Sequence, residues 1–205
     1  MNRNRNVTPY LKAAGKHASR LGVFRARDMV SAGYSREYLR RLVQQGTVSQ
    51  LDRGLYTSAD FNGDQNQSLV EATKRVPRGV ACLLTALRFH AIGTQMPHQV
   101  WLALPRGSNF PQGGDPRLRF CLFSGPAYTF GIEAHMLPGG TVRVYSPAKT
   151  VADCFKYRRK YGIDVAVEAL REGWREKKFT MQELAAAAAV CRVSRVMQPY
   201  LEMLT

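Results

Sequence analysis

Residues 35–57 read SREYLRRLVQQGTVSQLDRGLYT, and this stretch decides the fold of the first part of the chain. Ser35 stands where an N-cap is wanted, a helix follows over residues 36–45, and Gly46 stops it. Within that helix Leu39, Leu42 and Val43 keep the i, i+3, i+4 spacing of a face that packs inward. Arg36, Arg40, Arg41, Gln44 and Gln45 are left on the outer side. Beyond Gly46, residues 48–51 and 55–57 read as two short strands joined through Asp52-Arg53-Gly54, a hairpin signal. Upstream, Pro9 opens a helix over residues 9–19, and a short helix over residues 24–30 ends before Gly33.

Helix, helix, turn, helix, hairpin is the order of a winged helix-turn-helix, which lays its last helix in the DNA major groove and its wing on the flanking backbone. The outer side chains suit that task. Arginine donates two hydrogen bonds to guanine O6 and N7, and glutamine pairs bidentately with adenine. Arg40 and Gln44 are therefore expected to read bases, while Arg36, Arg41 and Arg53 neutralise phosphates and fix the register. Ser35, Gln45, Arg25 and Arg27 complete the candidate set. A solvated helix face can also be rich in Arg and Gln; what favours DNA is the agreement of charge, element order and wing.

The charge argument is quantitative. Of 205 residues, 30 are Lys or Arg and 15 are Asp or Glu, which leaves +15. Residues 1–58 hold eleven of the cations, Arg3 and Arg5 among them, and three acids (Asp28, Glu37, Asp52), so about half of the excess lies in just over a quarter of the chain. A chain this basic is expected to meet polyanions, nucleic acid ahead of an anionic membrane. With 45% hydrophobic and 22% charged residues the composition is that of a globular protein and excludes disorder. No apolar run approaches a membrane span, the longest being residues 80–87. The start Met1-Asn2-Arg3-Asn4-Arg5-Asn6 is not followed by the apolar core of a secretory signal. Cys82, Cys121, Cys154 and Cys191 stand 39, 33 and 37 residues apart with no Cys-x-x-Cys pair, which argues against structural zinc and for buried thiols in a reducing cytoplasm.

Residues 58–67, rich in Asp, Asn, Gln and Gly, read as a linker. The expected architecture is α+β: a winged helix-turn-helix domain over residues 1–60 and a mixed α/β domain with a helical end over residues 68–205. In the second domain, residues 70–76 and 80–91 read as helices and residues 99–104, 118–123 and 141–145 as strands. Ser146 with Pro147 starts a helix that Gly162 ends. Asp164 caps the next helix, whose apolar face is read as Ile163, Val167, Leu170 and Trp174. Thr180 and Glu183 form a capping box before the alanines 185–189.

Catalytic motifs are sparse. Gly113-Gly114 and Gly139-Gly140 lack the following Gly-Lys-Ser/Thr of a phosphate-binding loop and read as turns. His90, His98 and His135 offer no metal-ligand spacing, and Cys154 reads as a core thiol with a raised pKa. Asp115 and Glu133 are a thin basis for the carboxylate cluster of a metal-dependent nuclease. No catalytic residue, metal or cofactor is expected. Two rivals stay in play: a DNA-directed nuclease, and a general transcription regulator with a ligand-binding C-terminal domain. One further cluster, Lys156, Arg158, Arg159 and Lys160 with Tyr157 and Tyr161, is either a second phosphate-holding patch or a helix end whose cations offset the dipole.

Several stretches together resemble the AbiEi-type antitoxins of bacterial type IV toxin–antitoxin (abortive-infection) systems. They are residues 24–30, Leu42-Val43-Gln44-Gln45-Gly46, Leu51-Asp52-Arg53-Gly54-Leu55-Tyr56, residues 82–87 with His90, Val100-Trp101-Leu102-Ala103-Leu104-Pro105 and, most specifically, residues 144–155. The chain departs from the family at Thr85, where Ser is usual. The resemblance implies an N-terminal domain that binds inverted repeats in double-stranded DNA of its own promoter and represses it, as part of phage defence. It implies a C-terminal domain that counteracts a cognate nucleotidyltransferase-like toxin, functionally rather than through a tight complex. It supports DNA contacts at Ser35, Arg36, Arg40, Arg41, Gln44 and Arg53. Whether a stable dimer or a monomer binding cooperatively meets the two halves of a repeat is left open.

Overall fold

The computed structural model describes residues 7–110 and 116–204; Arg3, Arg5, Gly113-Gly114 and Asp115 lie outside the described residues. These residues divide into two compact units. The first takes the chain to Pro77 together with Pro116 and residues 136–141, and the second takes residues 78–110, 117–135 and 142–204.

In the first unit the order is α1 (Val7–Leu21), β1 (Val23–Arg25), α2 (Ala26–Ser31), α3 (Arg36–Gln44), β2 (Val48–Asp52), β3 (Leu55–Ser58) and α4 (Gln67–Arg75). The three helices and the hairpin read from the sequence are present. Ser35 occupies the N-cap position of α3 without a side-chain hydrogen bond to the helix. Leu39 and Leu42 are 3% and 2% exposed and pack with Ala14, Ala18, Phe24, Met29 and Val48. Gly46 ends α3 at φ +71°, and Gly54 turns the hairpin at φ +73°, a conformation that residues with a Cβ rarely adopt.

The stretch read as one helix over residues 24–30 is in fact strand and helix. Val23, Phe24 and Arg25 pair antiparallel with Thr57, Tyr56 and Leu55, giving a three-stranded sheet in the order β1-β3-β2. Three residues are too short to show a period, and their hydrogen bonds exist only because β3 is beside them. Phe24 is fully buried and stacks on Tyr56, with ring centroids 6.0 Å apart. Burial of a ring that size contributes roughly 1.5–3 kcal/mol.

The first unit also extends past the linker read at residues 58–67 and includes α4, whose Leu69, Val70 and Ala72 are buried. The Arg25 guanidinium donates to the carbonyls of Lys74 and Arg75, at 2.5 and 2.8 Å, capping the end of α4. Arg75 in turn, its side chain 5% exposed, pairs with Asp52 at 3.0 Å and donates to the Pro116 carbonyl. These long-range polar contacts tie a segment that composition alone would assign elsewhere.

The second unit contains β4 (Val80–Ala81), α5 (Leu83–Phe89), β5 (Val100–Pro105), β6 (Leu118–Phe123), α6 (Pro126–Thr129), β7 (Ile132–Leu137), β8 (Gly140–Tyr145), α7 (Pro147–Lys156), α8 (Arg158–Tyr161), α9 (Ile163–Arg175), α10 (Met181–Cys191) and α11 (Ser194–Glu202), with the tip of β7 and β8 counted in the first unit. The five strands form one mixed sheet in the order β6-β5-β4-β8-β7. β4 runs antiparallel to β5 and parallel to β8, and β5 runs parallel to β6. The start of the helix read over residues 80–91 is therefore a strand in the middle of the sheet. A continuous apolar run is consistent with either element, and the sheet settles which. Thr85, on α5, accepts a hydrogen bond from the Trp101 N–H at 2.9 Å, a contact that a serine hydroxyl also makes.

α7 is the central helix, with residues 148–155 all buried against α5, α9 and α10. Ser146 accepts from the Lys149 N–H as the sequence suggested, while the helix breaks at Tyr157 instead of running to Gly162. The face of α9 is rotated from the one read: Val165, Ala166, Ala169, Leu170 and Gly173 are buried, whereas Ile163 and Trp174 are 37% and 36% exposed. Small residues let α9 approach its neighbours closely, and Phe179 sits against Gly173. The Thr180–Glu183 capping box is complete.

At the middle of this core lies a charged pair. Lys149 and Asp153, both fully buried, meet at 2.5 Å. The ammonium also lies 4.2 Å from the Tyr145 ring centroid and 4.8 Å from that of Phe123, and the second carboxylate oxygen accepts from the Cys191 thiol at 3.2 Å. Burial pushes the Asp153 carboxyl up, against the pull of Lys149 and Cys191. All four cysteines are free and buried. Burial raises Cys154 well above the ordinary thiol range, and raises Cys191 to about 12, so these two are packing groups with little thiolate.

Candidate nucleic-acid interface

The basic face of the first unit is built on α3. At about 100° per residue, Arg36, Arg40 and Gln44 rise along one stripe and Glu37 and Arg41 stand beside it. Ser35, Arg36, Arg40, Gln44 and Gln45 are exposed, and Arg41 is partly so. The opposite stripe of α3, Leu39 and Leu42, is held by the core, which fixes the rotation of the helix.

Between α3 and the hairpin runs a groove of about 550 Å³. Arg36, Arg40 and Val43 form one wall; Gln50, Arg53 and Tyr56 form the other. Three of the arginines named from sequence thus converge on one concavity, although Arg53 is more than ten residues away along the chain. Gln50 and Tyr56 were not anticipated. Their signal was alternation: in β2 and β3 they stand opposite one another, so they share a face. Val43, expected inward, is half-buried and lines the groove.

One carboxylate stands on this face. Glu37 takes the Arg40 Nε at 3.3 Å and the Arg41 Nε at 3.1 Å, and the two guanidinium groups hold its pKa below the usual glutamate value. The spacing Glu37, Arg40, Arg41 is the i, i+3, i+4 pattern that brings such pairs together on a helix.

Arg25, one of the candidates, has partners within the first unit. Its guanidinium is committed to the end of α4, so it is not a free cation of the basic face. Arg27 is 69% exposed and only loosely paired with Asp28, at 3.9 Å. Arg25→Ala is expected to cost roughly 2–3 kcal/mol of stability through lost charge-assisted hydrogen bonds, while any affinity of the folded molecule for DNA stays unchanged. Thermal unfolding and a binding titration on the same sample check both parts.

The cluster 156–161 also divides. The Lys156 ammonium donates to the Cys191 carbonyl at 2.9 Å, and Arg158 donates to the Phe155 carbonyl at 2.9 Å. These are cations at helix ends. Arg159 and Lys160 are exposed, the latter over the Tyr161 ring.

Elsewhere in the second unit a pocket of about 470 Å³ is lined by Glu133, Ser146, Lys178, Phe179, Gln182 and Glu183, among others. Glu133 Oε2 lies 3.3 Å from His135 Nε2. His90, its pKa lowered by burial, donates from Nε2 to the Tyr145 carbonyl at 2.7 Å and is a packed residue. Among the described residues no group of three or more His, Cys, Asp or Glu is placed to hold a metal, and no helix is long and apolar enough to cross a membrane.

Comparison with known proteins bears on the same region. No curated protein sequence matches the chain. Among solved structures, the crystal structure of the RV2827C protein from Mycobacterium tuberculosis is similar, with a TM-score of 0.55 at 12% identity over 96% of this chain and 80% of that one. The likeness is one of fold. The model of a family described as "Transcriptional regulator, AbiEi antitoxin" matches residues 16–59, from the middle of α1 to the end of the hairpin. The matched segment contains the whole of α3 and the groove beside it, so the similarity to the AbiEi antitoxin transcriptional regulators is one of this N-terminal region.

Proposed function

We propose that this protein is a DNA-binding antitoxin of a type IV toxin–antitoxin system, which binds inverted repeats in its own promoter and represses it. The observation that carries the proposal is the convergence of Arg36, Arg40 and Arg53 on one groove between a helix and a hairpin. The order α1-β1-α2-α3-β2-β3 with a β1-β3-β2 sheet supports reading the first unit as a winged helix. In that arrangement α3 enters the major groove with Arg40 and Gln44 at the base edges, and Arg36, Arg41 and Arg53 lie along phosphates. The second unit counteracts a cognate nucleotidyltransferase-like toxin in the cytoplasm. The protein acts by binding, with no catalytic group of its own.

The test has two arms. The full chain is expected to protect repeats upstream of its own reading frame in a footprinting assay, with an affinity that falls steeply with salt. Co-expression with the neighbouring reading frame is expected to restore growth that the neighbour alone arrests. No footprint removes the DNA assignment, and no rescue removes the antitoxin assignment. The pocket lined by Ser146, Lys178 and Gln182 favours one second reading, a regulator that takes a small ligand in its C-terminal unit. A footprint without rescue favours that alternative.

A further inference from the structure

Glu37 stands out as the one acid of α3, beside the exposed Arg36, Arg40, Gln44 and Gln45. A carboxylate there costs affinity for any polyphosphate, because it repels the backbone and neutralises part of two guanidinium charges. It lies at the second position of α3, in the first turn, the part of a recognition helix closest to base edges. Its pairing with Arg40 has a particular geometry. The contacts are made by Arg40 Nε, at 3.3 Å, and Nη2, at 3.5 Å, which is the side edge of the guanidinium. The end edge, Nη1 with the outer hydrogen of Nη2, stays free. That end edge is a second bidentate donor pair, matched to the N7 and O6 acceptors of guanine. Arg41 is held in a similar way through Nε, at 3.1 Å, with both terminal nitrogens left over.

We propose that Glu37 is a specificity-determining residue of the interface: it fixes the side edges of Arg40 and Arg41, so that Arg40 presents its end edge to a guanine, and it weakens binding to every duplex lacking that guanine. The inference rests on the DNA-binding role of α3 proposed above. Free arginine side chains adapt to any phosphate within reach, whereas a side chain buttressed by a carboxylate keeps one direction and so discriminates. Glu37 therefore trades general affinity for sequence preference, acting through Arg40 as a positioning residue.

The experiment is selection of duplexes from a random-sequence pool by the purified full chain, as wild type, Glu37→Gln, Arg40→Ala, and the double variant. Wild type is expected to enrich a motif with guanine at a fixed position. Glu37→Gln is expected to lose about tenfold of that preference, while binding a random-sequence duplex more tightly and with a salt slope steeper by about one. In the Arg40→Ala background the same substitution should leave base preference unaltered, because the side chain it directs is gone. Glu37 is exposed and glutamine has its shape, so the variant keeps the fold. If Glu37→Gln selects the wild-type motif with undiminished preference, the inference is overturned and α3 keeps its DNA role. If wild type selects no motif and neither Arg40→Ala nor Arg41→Ala alters duplex binding, the role of α3 itself fails and takes the inference with it.

Discussion

Lys149→Met is expected to destabilise the protein by about 3–5 kcal/mol, lowering its melting temperature by roughly 10 °C. Lys149 and Asp153 are both fully buried and bonded at 2.5 Å. Removing the cation leaves a carboxyl at the centre of the core with only the Cys191 thiol as donor. An isolated buried carboxylate takes up a proton instead of staying charged, so the Asp153 pKa, already raised by burial, rises further. This fixes the sign of a pH dependence. Above the ordinary value of 3.8 the folded variant binds more protons than the unfolded chain, so its stability falls as pH rises until the raised folded pKa is passed. The stability deficit should therefore shrink as pH is lowered toward 4. A deficit caused only by imperfect packing would not change with pH. Lys149→Met combined with Asp153→Leu is expected to recover most of the loss, because a hydrophobic pair of similar volume avoids the desolvation of both ions. Chemical denaturation of wild type, single and double variants across pH measures all of this. A double variant no more stable than Lys149→Met would show that the pair is not what the core depends on.

Arg40→Ala combined with Arg53→Ala is expected to reduce affinity for the protein's own promoter by about a hundredfold at moderate salt, with the fold unchanged. The two arginines face one groove from opposite walls, and they are assigned different work. Loss of a base-reading arginine costs about 1–3 kcal/mol and falls mainly on the preferred sequence. Loss of a phosphate contact weakens binding to all sequences alike and flattens the salt slope by about one. Singly, then, Arg53→Ala should flatten the slope without changing base preference, and Arg40→Ala should relax preference at one base pair. Anisotropy titrations at several salt concentrations, on promoter and scrambled duplexes, separate the two. Equal losses on both duplexes for both variants would contradict the assignment of Arg40 to a base.

Much of the basic face of α3 and of the hairpin was legible in the sequence because its signals are local. The i, i+3, i+4 spacing of Leu39, Leu42 and Val43, the stop at Gly46 and the Asp52-Arg53-Gly54 turn each act within a few residues. They locate α3 and the hairpin within a residue or two of the observed ends. The same holds for Ser146-Pro147 and for the Thr180–Glu183 box, where the capping contacts are i to i+3. Glu37 carried a local signal too, three and four residues ahead of two arginines, but spacing alone does not say which guanidinium edge the carboxylate occupies.

What the sequence by itself determined is the set of elements that local hydrogen bonds and periodicity specify: three N-terminal helices, the hairpin, most of the strands, and the basic composition of the face of α3. Tertiary structure alone decided the rest. β1 and β4 are strands because β3 and β5 lie beside them, as two or three residues hold no pattern of their own. Arg25 became a cap for α4 because two carbonyls fifty residues away fall within its reach. The buried face of α9 follows its small residues, since close approach to neighbouring elements outweighed the larger side chains of Ile163 and Trp174. The buried charge of Lys149 is tolerated only because Asp153 and two aromatic rings surround it. In each case the deciding energy comes from groups distant in sequence, which composition and periodicity do not contain.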